Sequence, residues 1–229
     1  VTGVEREGQI GHAVARALGD AGASLVIADR SPEGLDERLR EFTAAGLAAV
    51  AAPGDLTDPP TARGVVSLAE TRFGGLDIVV NVAGGLTSYG PFDETELAAL
   101  DRELAINLRT VFCVCHAAVP ALRRRGGGAI VNFSSIGALR PQPNLAAYTA
   151  AKAGVAGLTR ALARELRDDK IRVNALAPAA VRTTTNVADM GADASLVPMA
   201  DVVEAVRFLA SSAAASITGH ILPVGGARP

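Results

Sequence analysis

Charge of one sign is missing: 22 Lys and Arg stand against 24 Asp and Glu, a net charge of -2. That balance gives neither nucleic acid nor an anionic membrane a basis as partner. The one basic cluster, Arg123-Arg124-Arg125, runs into Gly126-Gly127-Gly128, and cations closing a helix before a glycine stop account for it. Cysteine is nearly absent. Cys113 and Cys115 lie two apart in a helical stretch, too close for a strain-free disulfide framework, and are expected to be buried free thiols in a reducing cytoplasm. His12, His116 and His220 are scattered without metal-ligand spacing, so no metal is expected. Long apolar runs are also missing. None approaches the ~18 residues that span a bilayer, and the nearest, Thr110–Leu122, contains His116. No signal peptide is visible, nor a repeat or a low-complexity tail. A cytoplasmic protein with no membrane partner is expected.

What is present is an apolar fraction of 49% over 229 residues, enough for a substantial core in one large domain. A strand over Leu25–Ala28 ends in Asp29. Alternation follows: helix from about Pro32 to Ala45, strand Ala48–Ala52, helix Thr61–Arg72 and strand Asp77–Val82. A helical run Glu94–Arg125, kinked near Asn107, leads to strand Ala129–Phe133 and helix Ala147–Arg167. Strand Arg172–Leu176, helix Asp201–Ala210 and strand Ile221–Val224 complete the chain. Continuous apolar strands between amphipathic helices imply a parallel sheet covered on both faces. The expected fold is α/β, a doubly wound Rossmann-like parallel sheet in a single domain over residues 1–229.

Two stretches carry chemistry. A glycine-rich turn from Gly3 through Gly8 and Ile10 to Gly11 runs into a helix, presenting backbone N–H groups to a phosphate. Asp29, about 20 residues further on, stands where an acidic side chain meets the adenosine ribose of a dinucleotide. The second stretch is Tyr148 to Lys152, with Ser135 thirteen residues upstream. Positions four apart on a helix stack on one face, about 6 Å apart. Two unit charges at roughly that distance and an effective dielectric near 20 interact by about 3 kcal/mol. A lysine so placed is expected to pull a tyrosine from about 10 toward 8, into reach of acid/base work near neutral pH.

With these pieces in order, the chain resembles the short-chain dehydrogenase/reductase family from Thr2 to Gly226. The resemblance rests on Asp55-Leu56, Asn81-Val82-Ala83-Gly84, Asn107, Ser135, Tyr148, Lys152, the run Asn174 to Pro178, and Thr183. It implies an NAD(P)-dependent oxidoreductase interconverting a secondary alcohol and a ketone. Tyr148 would be the general acid/base, and Lys152 would tune it and hold the nicotinamide ribose. Ser135 would bond the reacting oxygen, and Asn107 would hold a water linking Lys152 to solvent. Asp55 and Leu56 would flank adenine, and Asn81, Ala83 and Gly84 would line the adenosine side. Pro178, Val181 and Thr183 would cover the nicotinamide. Because Asp29 repels a 2′-phosphate, NAD is expected over NADP, with Arg6 and Arg30 as the competing signals. A homotetramer is expected, since Ala150, Gly154, Gly157 and Ala161 form a small-residue stripe that the family packs between subunits.

The pattern departs from the family at four places. Gly3 to Gly11 is two residues longer than usual and carries Glu5 and Glu7; Val82 replaces an asparagine; Ala179 replaces a glycine. The central first strand is expected to lie before Val1. For an enzyme, Glu5 and Glu7 are expected to point into solvent. A substrate pocket is expected between Gly85–Phe92, Ile136–Asn144 and a mobile lid over Thr184–Pro198. Mostly apolar and neutral, it suits a small-molecule alcohol or ketone; 3-oxoacyl thioesters and polyols are sub-cases. The alternative from another class is a non-catalytic dinucleotide-binding sensor or scaffold.

Overall fold

The computed structural model describes residues 1–191 and 194–225. The end of the family resemblance at Gly226, and Ala192 and Asp193 of the expected lid, lie outside the described residues.

Among the described residues, six strands form where the apolar runs fall: Leu25–Asp29 (β1), Ala49–Pro53 (β2), Ile78–Asn81 (β3), Gly128–Phe133 (β4), Ile171–Pro178 (β5) and Ile221–Val224 (β6). All pairings are parallel, β1 with β2 and then β3, β4, β5 and β6 in that order. Val1–Gly3 lies between the two groups, and Thr2 bridges Ala28 on one side and Asn81 on the other. The Thr2 N–H donates to the Val80 carbonyl at 3.1 Å and the Gly3 N–H to the Ala28 carbonyl at 2.9 Å. These residues join both groups into one sheet and bring the glycine turn to its centre.

Among the described residues, eight α-helices cover the sheet: Ile10–Asp20 (α1), Pro32–Ala44 (α2), Pro59–Phe73 (α3), Leu97–Glu103 (α4), Thr110–Arg125 (α5), Ala146–Glu165 (α6), Thr184–Met190 (α7) and Met199–Ala210 (α8). On one face Val14 and Leu18 of α1, Phe42 of α2 and Val202 and Val206 of α8 pack with Val80, Val131 and Leu176. On the other, Val66 of α3, Val111 and Val114 of α5 and Val155 of α6 pack with Val79, Ile130 and Val173. Val79 and Val80, like Ile130 and Val131, go to opposite faces, as the two-residue period of a strand requires. Both faces being buried, the strands read as unbroken apolar runs.

Between α4 and α5 the chain makes a π-helical turn, Leu104–Arg109, so the expected kink near Asn107 is a widened turn. The whole run Leu97–Arg125 has the length and composition to cross a bilayer, contrary to the reading of its sequence as too short and polar. It serves here as a core helix: Val111, Val114, Cys115, Ala118 and Leu122 are buried against the sheet and α3, and Glu103 and Asn107 are buried as well. Gly126, at φ 88°, closes α5 after its three arginines. Those arginines pair with Asp169, Glu70 and Asp77.

Candidate active site

Lys152 follows Tyr148 by one turn of α6, and the two side chains meet beside the end of β4. The Lys152 Nζ lies 5.8 Å from the centroid of the Tyr148 ring and donates to the Phe133 carbonyl at 3.0 Å. The Ser134 hydroxyl donates to the Lys152 carbonyl at 2.9 Å, fastening α6 to the strand end. Ser135, next along, accepts from the Gly137 N–H at 3.1 Å and stands close enough to the Tyr148 phenol to favour its charged form. Ser135, Tyr148 and Lys152 are therefore brought together as expected. Their ionisation is not as expected. Burial pushes the Tyr148 phenol up, with a smaller push from the Glu103 carboxylate, against which the Ser135 hydroxyl works. Burial pulls the Lys152 ammonium down to about 8 from its ordinary 10.5, opposed by Glu103. The helix spacing gave the proximity; the dry site shifts both groups toward their neutral forms, the phenol up and the ammonium down, because desolvation penalises the charged form of each.

Asn107 is fully buried. Its Oδ1 accepts from the Gly85 N–H at 3.0 Å, and its Nδ2 donates to the Gly85 carbonyl at 2.9 Å. The same Nδ2 reaches the Glu103 carbonyl at 3.2 Å and the Glu103 carboxylate at 2.7 Å. The amide is held by protein groups on both sides, and its hold on the Glu103 carbonyl accompanies the local change from α to π spacing. Gly84 has φ 143°, and a Cβ there would stand 2.6 Å from Asn107 Oδ1. The loop after β3 is clamped to this turn.

Glu103 is the residue that the sequence reading missed. Its side chain is fully buried. Beyond Asn107, its Oε1 accepts from the Thr87 N–H at 2.6 Å, the Thr87 hydroxyl at 2.8 Å and the Ser88 N–H at 2.9 Å. One carboxylate therefore orders the start of the Gly85–Phe92 segment. The signal in the sequence was a glutamate four residues before Asn107, on the inward face of the helix. A second missed device is a buried polar ladder. Asn81 Nδ2 donates to Asn132 Oδ1 at 2.9 Å and Asn132 Nδ2 to the Thr159 hydroxyl at 3.0 Å, tying β3 to β4 and α6.

The glycine turn is shaped for close approach. A Cβ on Gly11 would lie 2.0 Å from the Gly3 carbonyl oxygen, and one on Gly3 would lie 2.9 Å from Ala83 N. The Thr2 hydroxyl accepts from the N–H groups of Val82 and Ala83 at 3.1 and 3.0 Å, joining this turn to the loop after β3. α1 opens on Gln9 with no side-chain cap and no acidic residue in its first turn. A bare helix N-terminus against side-chain-free backbone fits a diphosphate. Asp29, at the end of β1, accepts from the N–H groups of Arg30 and Glu5 at 2.8 and 3.1 Å.

Other expected cofactor residues are placed unevenly. Asp55 is exposed, accepting from the Thr57 N–H at 2.9 Å. Leu56 is buried in the core beside α3, and the Asn81 side chain donates into its ladder. Gly8 and Ile10 lie in and just after the turn. Pro178 ends β5 and Val181 bridges Val197. Thr183 caps α7, its hydroxyl accepting from the Asn186 N–H at 3.1 Å. α7 lies on the glycine turn: Thr184 N–H donates to the Gly8 carbonyl at 3.3 Å, and Gln9 Nε2 reaches the Thr184 and Thr185 hydroxyls at 2.7 and 2.9 Å.

The acidic pair of the lengthened turn divides. Glu7 is 77% exposed, as expected. Glu5 is only 20% exposed, and its Oε2 accepts from the Ser31 N–H at 3.0 Å. The expectation that both point to solvent is corrected for Glu5, because the start of α2 offers a donor and the positive end of a helix dipole. Neither carboxylate makes a hydrogen bond to the first turn of α1.

The sequence model described as enoyl-(acyl carrier protein) reductase matches residues 3–226. The cis-4-hydroxycyclohexanecarboxylate dehydrogenase of Sinomonas cyclohexanicum is 39% identical, over 95% of this chain and 91% of that one. A short-chain type dehydrogenase/reductase from Mycobacterium ulcerans superposes with a TM-score of 0.92 at 31% identity, over 98% of this chain and 86% of that one. A gluconate 5-dehydrogenase from Burkholderia cenocepacia J2315, solved with NADP and tartrate, gives 0.89 at 32% identity, over 98% and 92%.

Proposed function

The chain belongs to the short-chain dehydrogenase/reductase family, and on that premise we propose that it interconverts a secondary alcohol and a ketone with NAD(P). The observation that carries this reading is the meeting of Ser135, Tyr148 and Lys152 at the end of β4. The nicotinamide, when bound, supplies or accepts the hydride. The protein supplies the proton. In reduction the Tyr148 phenol gives its proton to the carbonyl oxygen, and in oxidation it takes one from the alcohol. The Ser135 hydroxyl, beside that phenol, steadies charge as it develops on the same oxygen. Lys152, held to Phe133 beside the ring, places a positive charge where a phenolate would form.

The substrate is a mostly apolar small molecule with a ring-borne or chain-borne secondary alcohol. Exposed Leu86, Tyr89, Phe92, Leu139 and Met190 come from the three segments expected to bound the pocket. Gly90 N–H donates to the Asn144 carbonyl at 3.1 Å, joining two of those segments. Arg140 is exposed, in keeping with a neutral substrate. The similarity to a hydroxycyclohexanecarboxylate dehydrogenase supports an alicyclic alcohol. NAD is the preferred cofactor on this reading, supported by the Asp29 carboxylate at the ribose position. Buried, unpaired Cys113 and Cys115 support a cytoplasmic setting. Exposed Ala150, Gly157 and Ala161 on α6 support a homotetramer. A panel of cyclic and acyclic alcohols and ketones, followed by nicotinamide absorbance with both cofactors, tests the reading. Binding of dinucleotide with no turnover across the panel would instead favour a sensor.

A further inference from the structure

We propose that Glu5, carried to the start of α2 by the lengthened glycine turn, is a cofactor-specificity residue that acts with Asp29 to exclude a 2′-phosphate. This rests on the NAD reading above. In a fold of this type the acidic residue after the second βα unit's strand meets the ribose 2′-hydroxyl, and a 2′-phosphate at the same place needs cationic or N–H donors nearby.

Here the backbone donors of Glu5, Arg30 and Ser31 are engaged by carboxylates. The Arg30 N–H donates to Asp29 Oδ1 at 2.8 Å and the Ser31 N–H to Glu5 Oε2 at 3.0 Å. The Glu5 N–H itself turns onto Asp29 Oδ2 at 3.1 Å. Arg6 Nε reaches Glu5 Oε1 at 3.3 Å. The Gly34 N–H, in the first turn of α2, goes to the Ser31 hydroxyl at 3.0 Å. The helix is shaped to admit Glu5, since a Cβ on Gly34 would lie 2.9 Å from Glu5 Cβ. An anion belonging to the protein therefore already holds the positive end of α2. A ribose hydroxyl brings a donor, which a carboxylate accepts. A phosphate brings about two further negative charges to two carboxylates.

The test is the dissociation constant of NADH and of NADPH, read by ligand fluorescence without turnover. The proteins are the wild type, Glu5→Gln, Glu5→Ala and Asp29→Asn, each checked for an unchanged melting temperature. Wild type should bind NADH at least about tenfold more tightly. Glu5→Gln keeps an acceptor for the Ser31 N–H and loses only the charge, leaving exposed Arg30 in place. It should tighten NADPH about fivefold or more and leave NADH within twofold. The gain should shrink at high salt, as it does between partly exposed charges. If both Glu5 variants bind NADPH within twofold of wild type while Asp29→Asn improves it, Asp29 alone sets the preference and Glu5 has no part. A wild type that prefers NADPH overturns the NAD reading and this inference together.

Discussion

The Lys152 ammonium donates to the Phe133 carbonyl at 3.0 Å in a site where the lysine is only 4% exposed. Burial there brings its pKa down to about 8, so the free protein loses this charge just above neutral pH. A ligand held through the ammonium form raises that pKa on binding. NADH affinity should accordingly weaken as pH rises above about 8, by up to tenfold per pH unit until the complex itself titrates. In the unliganded protein the sign is opposite for stability. Between the folded value of about 8 and the ordinary 10.5, the unfolded chain holds more protons, so stability from this group rises with pH through that window. Lys152→Met should flatten both profiles, measured by fluorescence titration and urea unfolding from pH 7 to 10.5.

Tyr148→Phe removes the proton-transfer group and leaves the aromatic body. Turnover should fall below a tenth of wild type, with NADH affinity nearly unchanged. Retention of more than that would assign the acid/base role elsewhere. Lys152→Ala should damage both turnover and binding, which separates the two residues.

Glu103 holds the loop after β3 by four bonds to Thr87 and Ser88. Glu103→Leu removes the acceptor that holds these loop donors and one of the acceptors of the buried Asn107 amide, a loss of about 1–3 kcal/mol. Urea unfolding should register it, and hydrogen exchange at Thr87 and Ser88 should quicken. Slow exchange there in a stable variant would show that the loop is ordered by other contacts.

Gly11→Ala places a methyl 2.0 Å from the Gly3 carbonyl oxygen. Backbone cannot rotate away as a side chain can, so the turn must open. Loss of roughly 2–3 kcal/mol, or about 5–10 °C in melting temperature, should accompany at least tenfold weaker NADH binding. An unchanged melting temperature would mean that the turn is looser than this packing.

The oligomer prediction changes in one residue. Gly154 is not free for a partner, because a Cβ there would meet Leu108 Cδ2 at 2.8 Å within the same chain. Gly157 has open space. If the proposed tetramer packs on this stripe, Gly157→Leu should disrupt it without unfolding the protomer, whereas Gly154→Leu should destabilise the fold. Light scattering at micromolar concentration, paired with thermal unfolding, distinguishes them; normal assembly of Gly157→Leu would place the interface elsewhere.

The amino-acid order alone determined the alternation of strand and helix, since two buried sheet faces demand continuous apolar runs such as Ile78–Val80 and Ala129–Val131. It also determined the pairing of Tyr148 with Lys152, because a helix fixes the neighbours of a side chain four residues away. What it could not determine were contacts across large separations in sequence. The reach of Glu5 to Ser31 and of Asn81 to Asn132 spans 26 and 51 residues, and no local periodicity encodes either. Nor could helix spacing decide in which direction each member of the pair would shift its pKa. That depends on burial, and the closure of β4, α6 and the widened turn around Lys152 made desolvation outweigh the attraction between a phenolate and an ammonium.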